Sequence, residues 1–256
     1  MDTLITERSG GVLTVTHNRP ERLNAASLRM WRELAEVFTE ARHRPEDRVV
    51  VVAGAGGAFC AGADLTDSEI AAAHPLVYLR AVDDAALALH RLPQPSIAKV
   101  DGVAVGAGCN LAFGCDLVVA SGESRFSEIF SRRGLSVDFG GTWLLPRRVG
   151  LHKAKELAFF GEILSAPEAA ELGLVNRVVA RDELDEFVGD WARRLAAGPP
   201  LALSATKSML DDSFSLGFAD ALEREAASQV VNLTSEDGRE AISAFLEKRE
   251  PIFKGR

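Results

Sequence analysis

Residues 96–120 read SIAKVDGVAVGAGCNLAFGCDLVVA. Ser96–Val100 is a short apolar run with β-branched residues, which predicts a strand. Gly102-Val103-Ala104-Val105-Gly106-Ala107-Gly108 follows as a glycine-rich turn. Cys109–Phe113 then predicts a short helix, and Leu117–Ala120 a second strand. Strand, glycine-rich turn, helix, strand is the rhythm of an α/β layered fold.

The pattern extends outward from this stretch. Upstream, Pro93 and Pro95 close a predicted helix over Leu76–Leu92. Arg48–Ala53 (RVVVVA) is a continuous β-branched run, expected of a strand covered on both faces. It runs into another glycine-rich loop, Gly54–Leu65 (GAGGAFCAGADL). Gly11–Asn18 alternates apolar with polar residues, a half-buried strand that Pro20 stops. Ser27 opens a helix with Leu28, Trp31, Leu34, Ala35 and Phe38 on one face. Downstream, Ser124–Ser127 offers a further strand. From Leu151 the chain turns helical, over 151–160, 166–172, 182–196, 201–211, 217–232 and 235–248, with one strand at Val175–Val179. Gly198-Pro199-Pro200 reads as a hinge between an α/β core over 1–197 and a helical region over 198–256.

Composition narrows the function. The 256 residues carry 29 Lys plus Arg against 37 Asp plus Glu, a formal charge of −8, which disfavours nucleic acid as a partner. With 47% hydrophobic and 26% charged residues the chain is globular, not disordered. No apolar run is long enough to cross a membrane, and the first residues form no secretory signal. Cys60, Cys109 and Cys115 make neither a CxxC pair nor a zinc pattern, and the five histidines lack metal spacing. The expectation is a cytoplasmic protein with no metal and no membrane association.

The two glycine-rich turns carry the chemistry. Each follows a buried strand and can present backbone N–H groups outward. Side by side they would aim two donors at one oxygen, an oxyanion site. Tight turns and close packing are the simpler use of such glycines. A pyrophosphate loop is a third, although neither stretch completes GxGxxG or contains GK[ST].

A run of ordered motifs then resembles the enoyl-CoA hydratase/isomerase (crotonase) superfamily. They are Asn18-Arg19-Pro20 with Asn24-Ala25, Phe59–Leu65, Val100-Asp101-Gly102, Gly106–Cys109 and Cys115-Asp116. Phe126, Gly134-Leu135, Gly140-Gly141, Leu145-Pro146-Arg147, Gly150, Ala170 with Leu172–Val175, and Ala244–Arg249 complete them. The resemblance implies a spiral of ββα units forming two nearly perpendicular sheets, with C-terminal helices for trimerisation. It implies an acyl-CoA thioester substrate, with coenzyme A as part of that substrate and no separate cofactor, and a homotrimer or dimer of trimers. Phe187, Trp191 and Phe218 support association, as apolar residues short of partners within one chain. By the same resemblance the N–H groups of Ala63 and Ala107 hold the thioester oxygen and the Ala61 carbonyl meets the adenine. Arg22, Leu23, Gly62, Asp64, Leu65, Gly106, Gly108, Asn110 and Phe130 contact the substrate. Thr66 stands where the family often has a basic residue, which leaves Arg22 as the candidate partner of the CoA phosphates.

Departures from the pattern bear on the reaction. The two glutamates that a hydratase needs fall at Asn110 and Phe130, and neither side chain can transfer a proton. Asp138, in GLSVDFGG, matches the single acid of the family's isomerase branches, and the tail over Ser235–Arg249 particularly resembles the phenylacetate-pathway isomerases that open an epoxide-CoA. The expectation is therefore an acyl-CoA isomerase with Asp138 as its acid–base. A weak hydratase recruiting Glu128 and a non-catalytic acyl-CoA binder are the alternatives. Glu128 faces the site only if 126–130 is extended.

Overall fold

The computed structural model describes residues 1–256. In chain order the elements are β1 (Leu4–Ser9), β2 (Val12–His17), α1 (Leu28–Arg42), β3 (Val49–Gly54), α2 (Ser68–Ala72), α3 (Pro75–His90), β4 (Ser96–Val100), β5 (Val103–Val105) and α4 (Ala107–Gly114). Then come β6 (Leu117–Ser121), β7 (Arg125–Ser127), α5 (Gly141–Phe160), β8 (Leu164–Ser165), α6 (Ala166–Glu171), β9 (Arg177–Val179), α7 (Leu184–Ala196), α8 (Pro200–Asp212), α9 (Phe218–Thr234) and α10 (Glu236–Glu247).

Six strands form the main sheet in the order β1-β2-β3-β4-β6-β9. Only the β1–β2 hairpin is antiparallel; β2, β3, β4, β6 and β9 run parallel. A small second sheet, β5-β7-β8, stands beside it, and Cys60 bridges to Ala104 in β5. The expected double coverage of β3 follows from its alternation. Val50 and Val52 enter the main core, which α1, α3 and α4 complete with Trp31, Leu34, Phe38, Val82, Leu89 and Leu111. Val49 and Val51 point the other way, onto Leu184, Val188 and Ala192 of α7. Each such fully buried side chain stabilises the fold by about 1.5–3 kcal/mol.

Several local features depart from the sequence reading. β1 escaped it because its only apolar residues, Leu4 and Ile5, are adjacent and all its residues but Leu4 are exposed, so no period-2 apolar signal exists. β5 lies inside the glycine-rich turn. α5 begins ten residues before the expected Leu151: Gly140 sits in the left-handed region and starts one helix, and Gly150, at φ 74°, separates it from the next. Pro146 obscured the first half in the sequence. Phe187 and Trp191 do find partners within the chain. Their rings lie 5.1 Å apart and pack on the small core under α7, which corrects the expectation that they lack them. Phe218, 82% exposed, remains without cover.

Candidate active site

Asn24 builds the first wall of the site. It is fully buried, and its amide donates to the Ala55 and Ala58 carbonyls at 2.8 and 2.7 Å, fixing the Gly54–Leu65 loop. Leu23 and Asn24 both adopt positive φ, 50° and 55°, a conformation that costs energy without glycine and is held here by these bonds. Arg19 clamps the far end of the loop. Its guanidinium meets Asp64 at 2.7 Å, and Asp64 in turn accepts from the Thr66 hydroxyl at 2.7 Å. These donors hold the Asp64 carboxyl below the usual carboxylate range against the opposing effect of burial, which is the largest single influence. Asp64 is thus a brace for the loop and stands outside the cavity lining.

Backbone hydrogen bonds tie this loop to Leu23 and the residues that follow it. Ala61 N–H donates to Leu23, Ala26 N–H to Gly62, and Asp64 N–H to Ala26, while Ala63 N–H has no acceptor in the chain. Gly106 N–H donates to Ser127 in the second loop, and Ala107 N–H likewise has none. Ala107 is the first residue of α4, where the helix adds partial positive charge. The two loops touch. A Cβ on Gly62, at φ +90°, would lie 2.7 Å from the Val105 carbonyl and 3.8 Å from the Ala107 nitrogen. Gly108 serves the same approach, since a side chain there would overlap the Cys60 carbonyl. It supports the loop contact and does not line the cavity. Two unused N–H groups on adjoining loops make a ready receptor for one polarised oxygen.

They open onto a cavity of 710 Å³ walled mostly by apolar side chains. Leu23, Ala61, Gly62, Ala63, Leu65, Gly106, Ala107, Phe130 and Asp138 line it, as read from sequence. Tyr78 and Leu79 of α3, with Ile129 and Arg133, are among the further lining residues, and the sequence reading names none of these four as part of the site. Leu23 and Leu65 are exposed at the mouth. The Ala61 carbonyl accepts no bond within the chain. Arg22 sits on an exposed turn at Pro20–Arg22, outside the lining.

Asp138 is the one carboxyl in that wall. Its loop is pinned by Phe139, buried against Trp31 with ring centroids 5.5 Å apart. One Asp138 oxygen, Oδ1, is buried without a partner. Burial, then repulsion from Asp83, pushes its carboxyl up to about 7. Asn110 lies beneath the cavity, fully buried. Its amide nitrogen donates to the Asp138 carbonyl at 3.0 Å and to Glu128 at 3.3 Å. Glu128 follows the last residue of β7, at the junction with a tight turn that begins at Ile129, and is 3% exposed. Burial raises it to about 7, against hydrogen bonds from Asn110 and Cys109. It stands behind the wall, not in it. Cys60 and Cys109 are buried and their thiols pushed up, Cys60 to about 12, so neither is an activated nucleophile.

Residues 7–256 match the family described as enoyl-CoA hydratase/isomerase. The chain belongs to that family. It is 38% identical along the whole of both chains to the 1,2-epoxyphenylacetyl-CoA isomerase of Escherichia coli K12. It is 33% identical to the short-chain-enoyl-CoA hydratase of Clostridium acetobutylicum, over 98% of this chain and 97% of that one. The crystal structure of an enoyl-CoA hydratase from Bacillus anthracis superposes with a TM-score of 0.94 at 31% identity, over 99% of this chain and 100% of that one. The family fold read from the motifs is therefore the fold of this chain. The relatives carry both isomerase and hydratase names, and this chain has Asn110 and Phe130 where the sequence reading expects a hydratase's two glutamates.

Proposed function

We propose that this family member is an acyl-CoA isomerase that moves one proton along the acyl chain of a bound thioester. One observation carries the reading: a single carboxyl, Asp138, lines an apolar cavity that also presents the free N–H groups of Ala63 and Ala107. Those donors draw charge onto the thioester oxygen and acidify the neighbouring carbon. The Asp138 carboxylate takes that proton, leaving a dienolate held by the two N–H groups. The Asp138 carboxylic acid then returns the proton two carbons farther on, so the base is regenerated and the substrate mass is unchanged. A carboxyl raised to about 7 is suited to both halves at neutral pH. Likeness to the E. coli isomerase and the 710 Å³ cavity favour a bulky acyl group such as 1,2-epoxyphenylacetyl. Ala61, Gly62, Leu23 and Leu65 would flank the CoA, with Arg22 near its phosphates and Phe130 against the acyl group.

A hydratase would need a second acid on the attacking water. Glu128, the buried carboxyl beneath the cavity, lies outside its lining, which disfavours that route. The test is mass spectrometry on 3-hexenoyl-CoA, 1,2-epoxyphenylacetyl-CoA and crotonyl-CoA. An unchanged mass with a rearranged acyl group on either of the first two supports the proposal. Gain of one water on crotonyl-CoA alone would replace it with hydration, and binding without any change would make the chain a scaffold.

The helical region over 198–256 is proposed as the surface where copies join, as a homotrimer or a dimer of trimers. Phe218 and Phe245, each 82% exposed, and Leu246 at 74% form apolar surface that a single chain leaves in water. No helix is long and apolar enough to cross a membrane, and all three cysteines are free, which suits a cytoplasmic location.

A further inference from the structure

Glu128 is a carboxyl in the core with one oxygen, Oε1, lacking any partner, and nothing in the proposed reaction uses it. Such a group is costly to bury, so its neighbours deserve account. Its other oxygen accepts from the Asn110 amide nitrogen at 3.3 Å. The same nitrogen donates to the backbone carbonyl of Asp138 at 3.0 Å. Space for this amide is made at Gly141, where any Cβ would overlap the Asn110 side chain. Glu128, Asn110 and the Asp138 backbone are thus linked through one amide group, below the cavity floor.

We propose that Glu128 is a positioning residue for Asp138: it orients the Asn110 amide, and that amide fixes the loop from which the Asp138 carboxyl enters the cavity. The inference rests on Asp138 being the acid–base of the reaction. Positioning matters because a displacement of about 1 Å can cost roughly 10²-fold in rate. The two carboxyls also feel each other's charge. Glu128 is faced by Cys109 and Asn110 from α4 and by Asp138, and Asp138 by Tyr78 and Asp83 from α3. Arg133 shares the cavity wall. An ionised Glu128 therefore opposes ionisation of Asp138.

Four variants test this with 3-hexenoyl-CoA as substrate. Glu128→Gln keeps an acceptor for the Asn110 amide and adds a donor toward Asn110 Oδ1, which has no partner. It should retain kcat within a few fold, and the acid limb of its pH profile should move to lower pH. Glu128→Leu removes the acceptor and should lower kcat about 10²-fold with KM little changed, because Ala63 and Ala107 still hold the thioester. Asn110→Ala should reproduce that loss, and keeps the test alive if Glu128→Leu fails to fold. An unshifted acid limb in Glu128→Gln, full kcat in Glu128→Leu or Asn110→Ala, or equal losses in the Gln and Leu variants would overturn the inference. Asp138→Asn runs alongside: if it isomerises at the parental rate the acid–base reading itself fails, whereas an inactive Asp138→Asn beside a fully active Glu128→Leu removes only the role given to Glu128.

Discussion

Replacing Asp138 by Asn should abolish turnover and at the same time stabilise the protein at alkaline pH. The perturbation keeps the side chain's shape and removes its proton. In the folded chain burial and Asp83 raise the carboxyl from 3.8 to about 7. The folded state thus holds a proton that the unfolded chain has released. Stability from this group is fully present below about pH 4, where both states are protonated, and is lost as pH rises through 7. At 1.36 kcal/mol per pH unit, the whole loss is about 4 kcal/mol by pH 8, an upper figure for a group with some access to water.

Unfolding in urea, at one protein concentration and across the neutral range, reads this directly. Between about pH 5 and 6 the parent should lose about 1.4 kcal/mol of stability per pH unit more than Asp138→Asn does. His17 titrates alike in both proteins and cancels; Glu128, which the Asp138 charge helps to raise, cancels when both proteins carry Glu128→Gln. Burial raises Glu128 to about 7 and lowers His17 to about 4. The kcat of the variant should fall about 10²–10⁴-fold, the usual share of a general acid–base group. Parallel stability curves would mean that Asp138 is already ionised in the folded protein, and the description of its surroundings would be wrong. A variant that is stabilised yet fully active would separate the electrostatics from the chemistry and refute the assigned role.

Other expectations follow from single contacts. Arg19→Ala strands the buried Asp64 carboxylate and should cost about 3 kcal/mol, read as a lowered urea midpoint, with slower turnover as the Ala63 loop loosens. Ala107→Pro removes one oxyanion donor at a helix position that accepts proline, so kcat should fall about 10²–10³-fold while circular dichroism stays unchanged. Asn110→Glu with Phe130→Glu should raise hydration of crotonyl-CoA from near zero and suppress isomerisation, provided the double variant folds; a folded, acyl-CoA-binding variant with no gain would mean the positions are misassigned. Sedimentation at micromolar concentration should give a trimer or a dimer of trimers, and a stable monomer would contradict association through 198–256.

How far the sequence reached depended on where each signal lies. That Ala63, Ala107 and Asp138 share one cavity wall is legible because each sits in a local motif that fixes its backbone: the two glycine-rich loops and GLSVDFGG. Asp64 and Gly108 belong to the same motifs, yet the structure uses them as loop supports. That distinction could not be read locally, since the partner of Asp64 is Arg19, 45 residues earlier, and the neighbour of Gly108 is Cys60. Tyr78 and Leu79 fall in a segment, Leu76–Leu92, that the sequence marks only as a helix. Which face meets the cavity is decided by how α3 packs on α1, a tertiary fact without a sequence period. Glu128 was tied to whether 126–130 is extended. β7 ends at Ser127 and a tight turn begins at Ile129, so Glu128 sits at the junction, where neither pattern determines its direction.

The arrangement around Asp138 joins stability to function through one physical quantity. A carboxyl that is to remove a proton beside a thioester must be basic, and the protein makes it so by burying it and leaving one oxygen without a donor. Asp83 adds repulsion from the solvent side, and the Asp138 charge in turn raises Glu128 in the core. Neither partners the free oxygen of Asp138, so the charge it carries after ionising has nowhere to be neutralised except by the proton it takes. That is a penalty on the folded state at high pH and a driving force in the reaction. In the proposed reaction the negative charge then moves to the thioester oxygen, where two N–H groups with no other acceptor would receive it. Charge thus leaves the position where the fold disfavours it and arrives where the fold has donors waiting. Any substitution that relieves Asp138, such as a cation placed at Asp83, should stabilise the protein at pH 8 and slow the proton transfer together; stabilisation without slowing would show that basicity at Asp138 does not limit the rate.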